Sequence, residues 1–443
     1  MKLFGTDGIR GQAGVAPLEP ATVARIGAAL VRSLRDGASP HRFVIGRDTR
    51  ESGEWIEQEL ARGLTSGGAT VVSAGVVPTP AIAYLARTEG FDAGLVISAS
   101  HNPYQDNGIK VFGGAGVKLT EKLEASVELL VADPSWQVGP APGVIDRHEL
   151  SGHYLEHLAA ILDDAGSLAG VPIVVDCANG ATAAMAPAFL SSLGFKVRPI
   201  GISPDGRNIN LDCGSTHLAG LAREVVATGA GLGIAFDGDG DRALFVDAAG
   251  ETVDGDAVLL MAALQMKKEG RLPGDVVVAT VMSNLGLEMA LRDRGISLVR
   301  TAVGDKYVME EMVKRGCALG GEQSGHIIFA DHLFTGDGLA TALNVLRIMV
   351  QSGRQLADLA GELLTYPQVL VNVRVKQRSD YRQVPAIATI IERVERGLAG
   401  HGRLLIRYSG TEPLLRIMLE GKDQAEIRGW ADDIAAVVKE QLA

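Results

Sequence analysis

The stretch AGLVISASHNP, Ala93–Pro103, passes from an unbroken apolar run into a polar turn. Ala93–Ile97 shows no polar alternation, which is the pattern of a strand covered on both faces. Two related runs precede it, FVIGRDT (Phe43–Thr49) and TVVSAG (Thr70–Gly75), with amphipathic segments between them. Short Val/Ile/Ala-rich runs alternating with amphipathic segments predict βαβ units and a mostly parallel sheet.

The same order of parts recurs twice. VPIVVDCANG (Val171–Gly180), FKVRPIG (Phe195–Gly201) and LGIAFDGDGDR (Leu232–Arg242) form a second set. DVVVATVMSN (Asp275–Asn284), ISLVRTAVG (Ile296–Gly304) and CALGGEQSGH (Cys317–His326) form a third. Each set ends in a polar loop that bears glycine, and ligands of open α/β sheets gather at the carboxyl ends of strands. The expected fold is therefore three similar α/β domains with mixed, mostly parallel sheets. A single large doubly wound domain is the competing reading. From about Leu370 the pattern changes: VLVNVRV alternates like a half-buried strand, a charged helix follows, and RLLIRYSGTEPLLRIMLEG leads to a terminal amphipathic helix. That predicts a C-terminal α+β domain. The expected domains are 1–150, 151–254, 255–368 and 369–443. They are taken to surround a central cleft.

Composition limits the function. A chain of 443 residues is long enough for several cores, and its net charge of −11 comes without basic clusters. Nucleic acid, whose affinity rests on Lys and Arg, is a poor partner. Cys177, Cys213 and Cys317 have no CxxC spacing, so neither a disulfide framework nor a zinc site is expected. The opening MKLFGTDGIRG lacks the apolar stretch of a signal peptide. The apolar run Ala257–Met266 is about half of the ~20 residues that a membrane span needs. A cytoplasmic protein without membrane partners is expected.

Chemistry concentrates at Asp237-Gly-Asp239-Gly-Asp241-Arg242. Two carboxylates 4 Å apart repel by about 4 kcal/mol at an effective dielectric near 20, so three converging on one spot call for a cation. Alternate residues leave a strand on one face, and the two glycines let the loop curl. All-oxygen ligands favour Mg²⁺ or Ca²⁺. An EF-hand is excluded, because its glycine position holds Arg242 and its glutamate position holds Ala248. A solvated acidic turn is the plain alternative. Arg242 is a candidate phosphate contact.

Three further loops carry reactive groups. Ser98, Ser100 and His101 follow the Ala93–Ile97 run, and either serine could be a nucleophile beside the imidazole. The GxSxG elbow of a hydrolase is absent. Lys110 follows within reach as a proton-transfer group or phosphate clamp. In GEQSGH, Glu322 and Ser324 suit sugar hydroxyls and His326 suits acid–base work. In RYSGTEP, Arg407, Ser409, Gly410 and Thr411, with Arg416 beyond, suit a phosphate that is not transferred.

Taken together, these motifs resemble the α-D-phosphohexomutase family, and most closely its hexosamine-phosphate branch. FGTDGIRG, GRDTRESG (Gly46–Gly53), SASHNPYQDNGIK (Ser98–Lys110), DGDGDR, GEQSGH and RYSGTEP occur in order along the whole chain. The resemblance implies four domains around a cleft, with Ser100 as phosphoserine and His101 beside it. It makes Asp237, Asp239 and Asp241, with the phosphoserine oxygen, the ligands of one Mg²⁺. Lys110 and His326 match positions for proton transfer, and Arg10 matches an arginine near the serine. Arg242, Glu322, Ser324, Arg407, Ser409, Gly410, Thr411 and Arg416 match substrate contacts. Lys306 stands where the branch more usually has arginine, so it is left out of the site. The implied reaction interconverts glucosamine 6-phosphate and glucosamine 1-phosphate through glucosamine 1,6-bisphosphate. A homodimer is implied only by the resemblance. A phosphoglucomutase or phosphomannomutase, a metal-dependent phosphomonoesterase and a non-catalytic phosphosugar sensor are the alternatives.

Overall fold

The apolar runs of the three repeated sets form strands, whereas the run Ala257–Met266 lies in the helix Gly255–Lys268. The computed structural model describes residues 2–34, 41–162, 170–376, 378–409 and 413–442. The chain divides into two compact units, Met1–Thr280 with Val299–Gly361, and Val281–Leu298 with Glu362–Ala443.

The first sheet contains β1 (Phe4–Gly5), β2 (Gly8–Gln12), β3 (Arg42–Arg47), β4 (Thr70–Val76), β5 (Ala93–Ile97), β6 (Asp106–Gly113) and β7 (Asp146–Arg147). Its order is β1-β2-β6-β5-β3-β4-β7. β5 runs parallel to β3, then the chain turns back through the Ser100 loop into the antiparallel β6. All five residues of β5 are buried, as an unbroken apolar run requires. Phe43, Ile45, Leu95, Ile97, Ile109 and Val111 join the helices Pro20–Leu34 and Gly53–Ser66 in one core.

The second sheet contains β8 (Pro172–Asp176), β9 (Lys196–Ile200), β10 (Leu232–Phe236), β11 (Ala243–Asp247) and β12 (Thr252–Val253), in the order β12-β11-β10-β8-β9. The third contains β13 (Val276–Thr280), β14 (Ser297–Thr301), β15 (Leu319–Gly321) and β16 (Ile327–Phe329), in the order β14-β13-β15-β16. The rule of the first sheet holds in both. β10 is parallel to β8 and returns antiparallel as β11, and β15 is parallel to β13 and returns as β16. The sheets are mixed because a returning strand follows each polar loop. Each loop is thereby held at both ends by paired backbone, which fixes it more firmly than a free connection.

The second unit carries β17 (Gln368–Arg374), β18 (Gly402–Tyr408) and β19 (Leu414–Gly421), antiparallel in the order β17-β19-β18. Val369 and Val373 alternate inward along β17, as the sequence predicts for a half-buried strand. The helices Pro385–Leu398 and Gln424–Leu442 cover that face through Ile391, Val394, Ile427 and Ile434. No described helix is long and apolar enough to cross a membrane.

Candidate active site

The end of β5 puts Ser100 in a left-handed conformation, φ 52°, which L-residues adopt at a cost of about 1–2 kcal/mol. The loop tolerates this because its backbone is clamped. Arg50, 1% exposed, donates to the carbonyls of Ser100 and Asn102, each at 2.9 Å, and to Asp106 at 3.0 Å. Its Nε bonds Asp48 Oδ2 at 2.9 Å. Asn210 Nδ2 adds a further bond to the Ser100 carbonyl at 3.0 Å. Gly238 lies so close that a Cβ there would sit 2.6 Å from the same carbonyl oxygen, so only glycine fits.

The two serines separate cleanly. Ser98 donates to Asp48 at 2.6 Å and accepts the Ser100 N–H at 2.9 Å, which makes it part of the clamp. Ser100 Oγ points to the end of β10, donating to Asp237 Oδ2 at 2.5 Å, with His101 Nδ1 3.2 Å away. Burial, Arg242 and Arg10 push the His101 imidazole down to about 4, so it is neutral at physiological pH.

Asp237, Asp239 and Asp241 are all buried and offer oxygens within 4.8 Å of one another. Burial, Asp241 and Asp239 drive the Asp237 carboxyl well above its ordinary range, the expected result when acids converge without enough positive charge. Asp241 goes the other way: burial resists its ionisation, but Lys110, His326 and Arg242 hold it well below that range. Lys110 lies 2.8 Å from Asp239 Oδ2, 2.8 Å from Asp241 Oδ2 and 3.1 Å from Asp7. Burial opposes its charge, yet these three carboxylates raise its pKa well above normal. Lys110 is thus a fixed cation that hydrogen-bonds Asp239 and Asp241 and forms an ion pair with Asp7.

Lys110 takes the Oδ2 atoms of Asp239 and Asp241 and leaves both Oδ1 atoms buried without a hydrogen-bond partner. Burying such an atom unpaired is costly. Two orphaned carboxylate oxygens, beside a third carboxylate that faces a serine hydroxyl, suit a hard cation with oxygen ligands. The residues fit a metal site.

The third-sheet loop closes over the same region of the first unit. His326, at the start of the return into β16, lies 3.6 Å from Asp241 and 3.6 Å from Asp305. Its Nε2 accepts the Gly336 N–H at 3.0 Å, which puts the proton of the neutral ring on Nδ1, facing Asp241. Burial disfavours a second proton, while Asp241, Asp305 and Glu322 raise the pKa above its ordinary value. Glu322 Oε1 accepts the Gly304 N–H at 3.2 Å, and Ser324 Oγ lies 3.4 Å from Oε2. Arg10 pairs with Asp7 and reaches Asn102 at 3.5 Å. Arg242 lies 3.8 Å from Asp241.

In the second unit, Arg407 on β18 stands directly opposite Arg416 on β19. Like charges in register repel, and burial together with Arg416 lowers the Arg407 pKa. Arg416 Nη2 reaches Ser409 Oγ at 3.3 Å. Gly410 and Thr411, expected in the same loop, lie outside the described residues.

Comparison with known proteins decides what this arrangement belongs to. Four domain families of phosphoglucomutase/phosphomannomutase match in order: α/β/α domain I over residues 1–137, domain II over 152–250, domain III over 254–366 and the C-terminal domain over 370–437. The chain belongs to the phosphoglucomutase/phosphomannomutase family. As a phosphohexomutase it is an isomerase. The phosphoglucosamine mutase of Geobacter sp. (strain M21) is 49% identical over 449 residues, covering 100% of this chain and 98% of that protein. That of Solibacter usitatus is 49% identical over 442 residues, covering 99% of each. Among solved structures, a phosphoglucomutase/phosphomannomutase family protein from Burkholderia thailandensis has 25% identity and a TM-score of 0.81, covering 98% of this chain and 97% of that one. The N-acetylphosphoglucosamine mutase of Aspergillus fumigatus, solved with GlcNAc-6P and magnesium, shares the fold at 17% identity, with a TM-score of 0.70 over 100% of this chain and 96% of that one.

Around this candidate site, sequence reading missed the supporting residues. Thr79 donates its N–H to the Asp239 carbonyl at 2.8 Å and its hydroxyl to the Asp239 carboxylate. Asp7 and Lys118 join Lys110 to Asp305. Lys306, set aside from the site, pairs with Glu124 at 2.7 Å and is buried. Arg50 and Asp7 left a trace, in the motifs GRDTRESG and FGTDGIRG, where nothing in the residue types distinguishes a buried support from a surface pair.

Proposed function

We propose that this chain interconverts glucosamine 6-phosphate and glucosamine 1-phosphate by carrying a phosphoryl group on Ser100. The observation that carries the reading is the Ser100 hydroxyl, held 2.5 Å from Asp237 within the three-aspartate cluster. Asp237, Asp239 and Asp241 hold one Mg²⁺, which supplies charge neutralisation at the transferring group when bound. A hydroxyl oxygen of the sugar forms a new P–O bond while the bond from phosphorus to Ser100 Oγ breaks. The proton lost by the sugar hydroxyl balances the one gained at Oγ, where neutral His101 is placed to handle it. The product of this half-reaction is glucosamine 1,6-bisphosphate, and its other phosphate returns to Ser100 after the intermediate turns over.

Arg10, Lys110 and Arg242 contribute fixed positive charge, and His326 bears a hydrogen-bond donor on Nδ1. Glu322 and Ser324 bind sugar hydroxyls. Arg407, Ser409, Gly410, Thr411 and Arg416 take the phosphate that is not transferred, which relieves the repulsion between the two facing arginines. In this reading the domains 1–150, 151–254, 255–368 and 369–443 contribute one loop each. The small-molecule partner is a phosphosugar, the reading places the enzyme in the cytoplasm, and a homodimer rests on the family resemblance alone.

The test compares glucosamine 1-phosphate, glucose 1-phosphate and mannose 1-phosphate as substrates while free phosphate is followed. Glucosamine 1-phosphate should be turned over fastest, with negligible phosphate release. A preference for glucose or mannose phosphate would reassign the substrate, and stoichiometric phosphate would make the chain a phosphomonoesterase.

A further inference from the structure

Lys118 lies just beyond β6, in a short return that pairs it with Phe112 on the strand that also carries Lys110. Its side chain is 11% exposed, and its ammonium bonds Asp7 Oδ1 at 2.5 Å and the carboxylate of Asp305. These two partners lead in different directions. Asp7 also contacts Lys110 and Arg10, the cations beside the aspartate cluster. Asp305 opens the helix Asp305–Arg315, and the residue before it, Gly304, donates its N–H to Glu322.

The Gly304–Asp305 peptide therefore serves two contacts at once. Its side chain is gripped by Lys118, and its first amide holds the carboxylate assigned above to sugar binding. Gly304 also fits closely against the N-terminal loop, where an added Cβ would lie 3.2 Å from Thr6. Beside it, Lys306 makes a second ion pair across the same boundary, 2.7 Å to Glu124. The contacts close into a ring: Lys110, Asp7, Lys118, Asp305, the neutral imidazole of His326 and Asp241, which returns to Lys110 at 2.8 Å. Removing Lys118 takes away the ammonium partner of Asp305, whereas Asp7 keeps Lys110 and Arg10.

We propose that Lys118 is a positioning residue that sets the Glu322 carboxylate relative to the Ser100 and aspartate cluster, acting through Asp305 and the Gly304 amide. Lys118 touches neither the phosphoryl-bearing oxygen nor the aspartate cluster. Its effect falls on sugar alignment and leaves the cation site intact. The kinetic consequence rests on the reading of Glu322 as a sugar ligand, whereas the structural consequence does not.

Two variants, Lys118→Met and Asp305→Asn, test this with three readouts. KM for glucosamine 1-phosphate should rise about tenfold or more in each, the factor expected on losing control of one hydrogen bond to a charged group. Mn²⁺ affinity, followed by titration in the absence of sugar, should stay within about threefold of wild type. Amide hydrogen exchange should quicken at residues 304–308 and 321–326 and stay unchanged at 237–242. The double variant should be no worse than the poorer single one, since both break the same path. Unchanged exchange at 304–308 and 321–326 in both variants would overturn the proposal, whether or not the wild type turns over this sugar. Equal damage to metal affinity and to exchange at 237–242 would also overturn it, by showing a general structural role. A wild type active on another phosphosugar would revise the substrate alone, with KM then read on that sugar.

Discussion

Ser100 stands in the left-handed region and still has an ordered environment, because Arg50 and Asn210 hold its carbonyl from two sides. A guanidinium suits this role for a geometric reason. Its planar fork reaches the carbonyls of Ser100, Asn102, Pro103 and Asp106 and still pairs with Asp48, which a lysine cannot do. Arg50→Lys keeps the charge but strands several carbonyls. We expect a loss of stability on the order of 3 kcal/mol, read from urea unfolding, and a fall in kcat well beyond any change in KM. Normal kcat in a folded Arg50→Lys protein would show that the serine loop holds its conformation without the clamp. Ser98 shows how far residue type alone can lead. In sequence it competes with Ser100, and only its 2.6 Å bond to Asp48 assigns it to support.

At the scale of elements, the recurring device is a parallel strand, a polar loop and an antiparallel return. The strands and loops were legible because an uninterrupted apolar run and a cluster of turn residues each leave a local signature. The returns were less so: β16 is three residues long, too short for a period of two to stand out. Helix ends add a titratable feature. Asp337 caps the helix Gly338–Ser352 by accepting the Ala340 N–H at 2.9 Å, and Tyr154 Oη donates to both its oxygens at 2.9 Å. Burial pushes Asp337 up to about 6, although those hydrogen bonds oppose the shift. An unfolded aspartate ionises near 4. Between about pH 4 and 6 the folded state therefore binds the extra proton, and stability falls as the pH rises through that window. The loss amounts to about 3 kcal/mol above pH 6. Asp337→Asn retains the cap and removes the titration. Its stability relative to wild type should improve between pH 4 and pH 7 in urea unfolding, and a pH-independent difference would contradict the assignment.

Over the whole molecule, four domain families match in order, and each holds one of the four loops proposed to carry the chemistry. Three of them meet within the first unit, where Ser100, the aspartates and His326 are linked by direct contacts. The second unit brings two arginines face to face on adjacent strands. The loops could be read from sequence because each is a dense local motif. The charged ring could not. Asp7, Lys118 and Asp305 are scattered over some 300 positions; Lys118 and Asp305 look like ordinary surface charges, and FGTDGIRG says nothing of the partners of Asp7, until the fold brings the three together. Lys306 illustrates the same limit: compared only with the usual arginine it looks like a defect, but in the structure it is a buried partner of Glu124.

The account stands on phosphate carried by one hydroxyl. The most direct test is peptide mass mapping of the purified wild-type and Ser100→Ala proteins, with mutase turnover measured on the same preparations. The account predicts phosphate on the wild-type peptide that contains Ser100, and neither phosphate nor turnover in the alanine protein. Wild-type turnover by Ser100→Ala would contradict it.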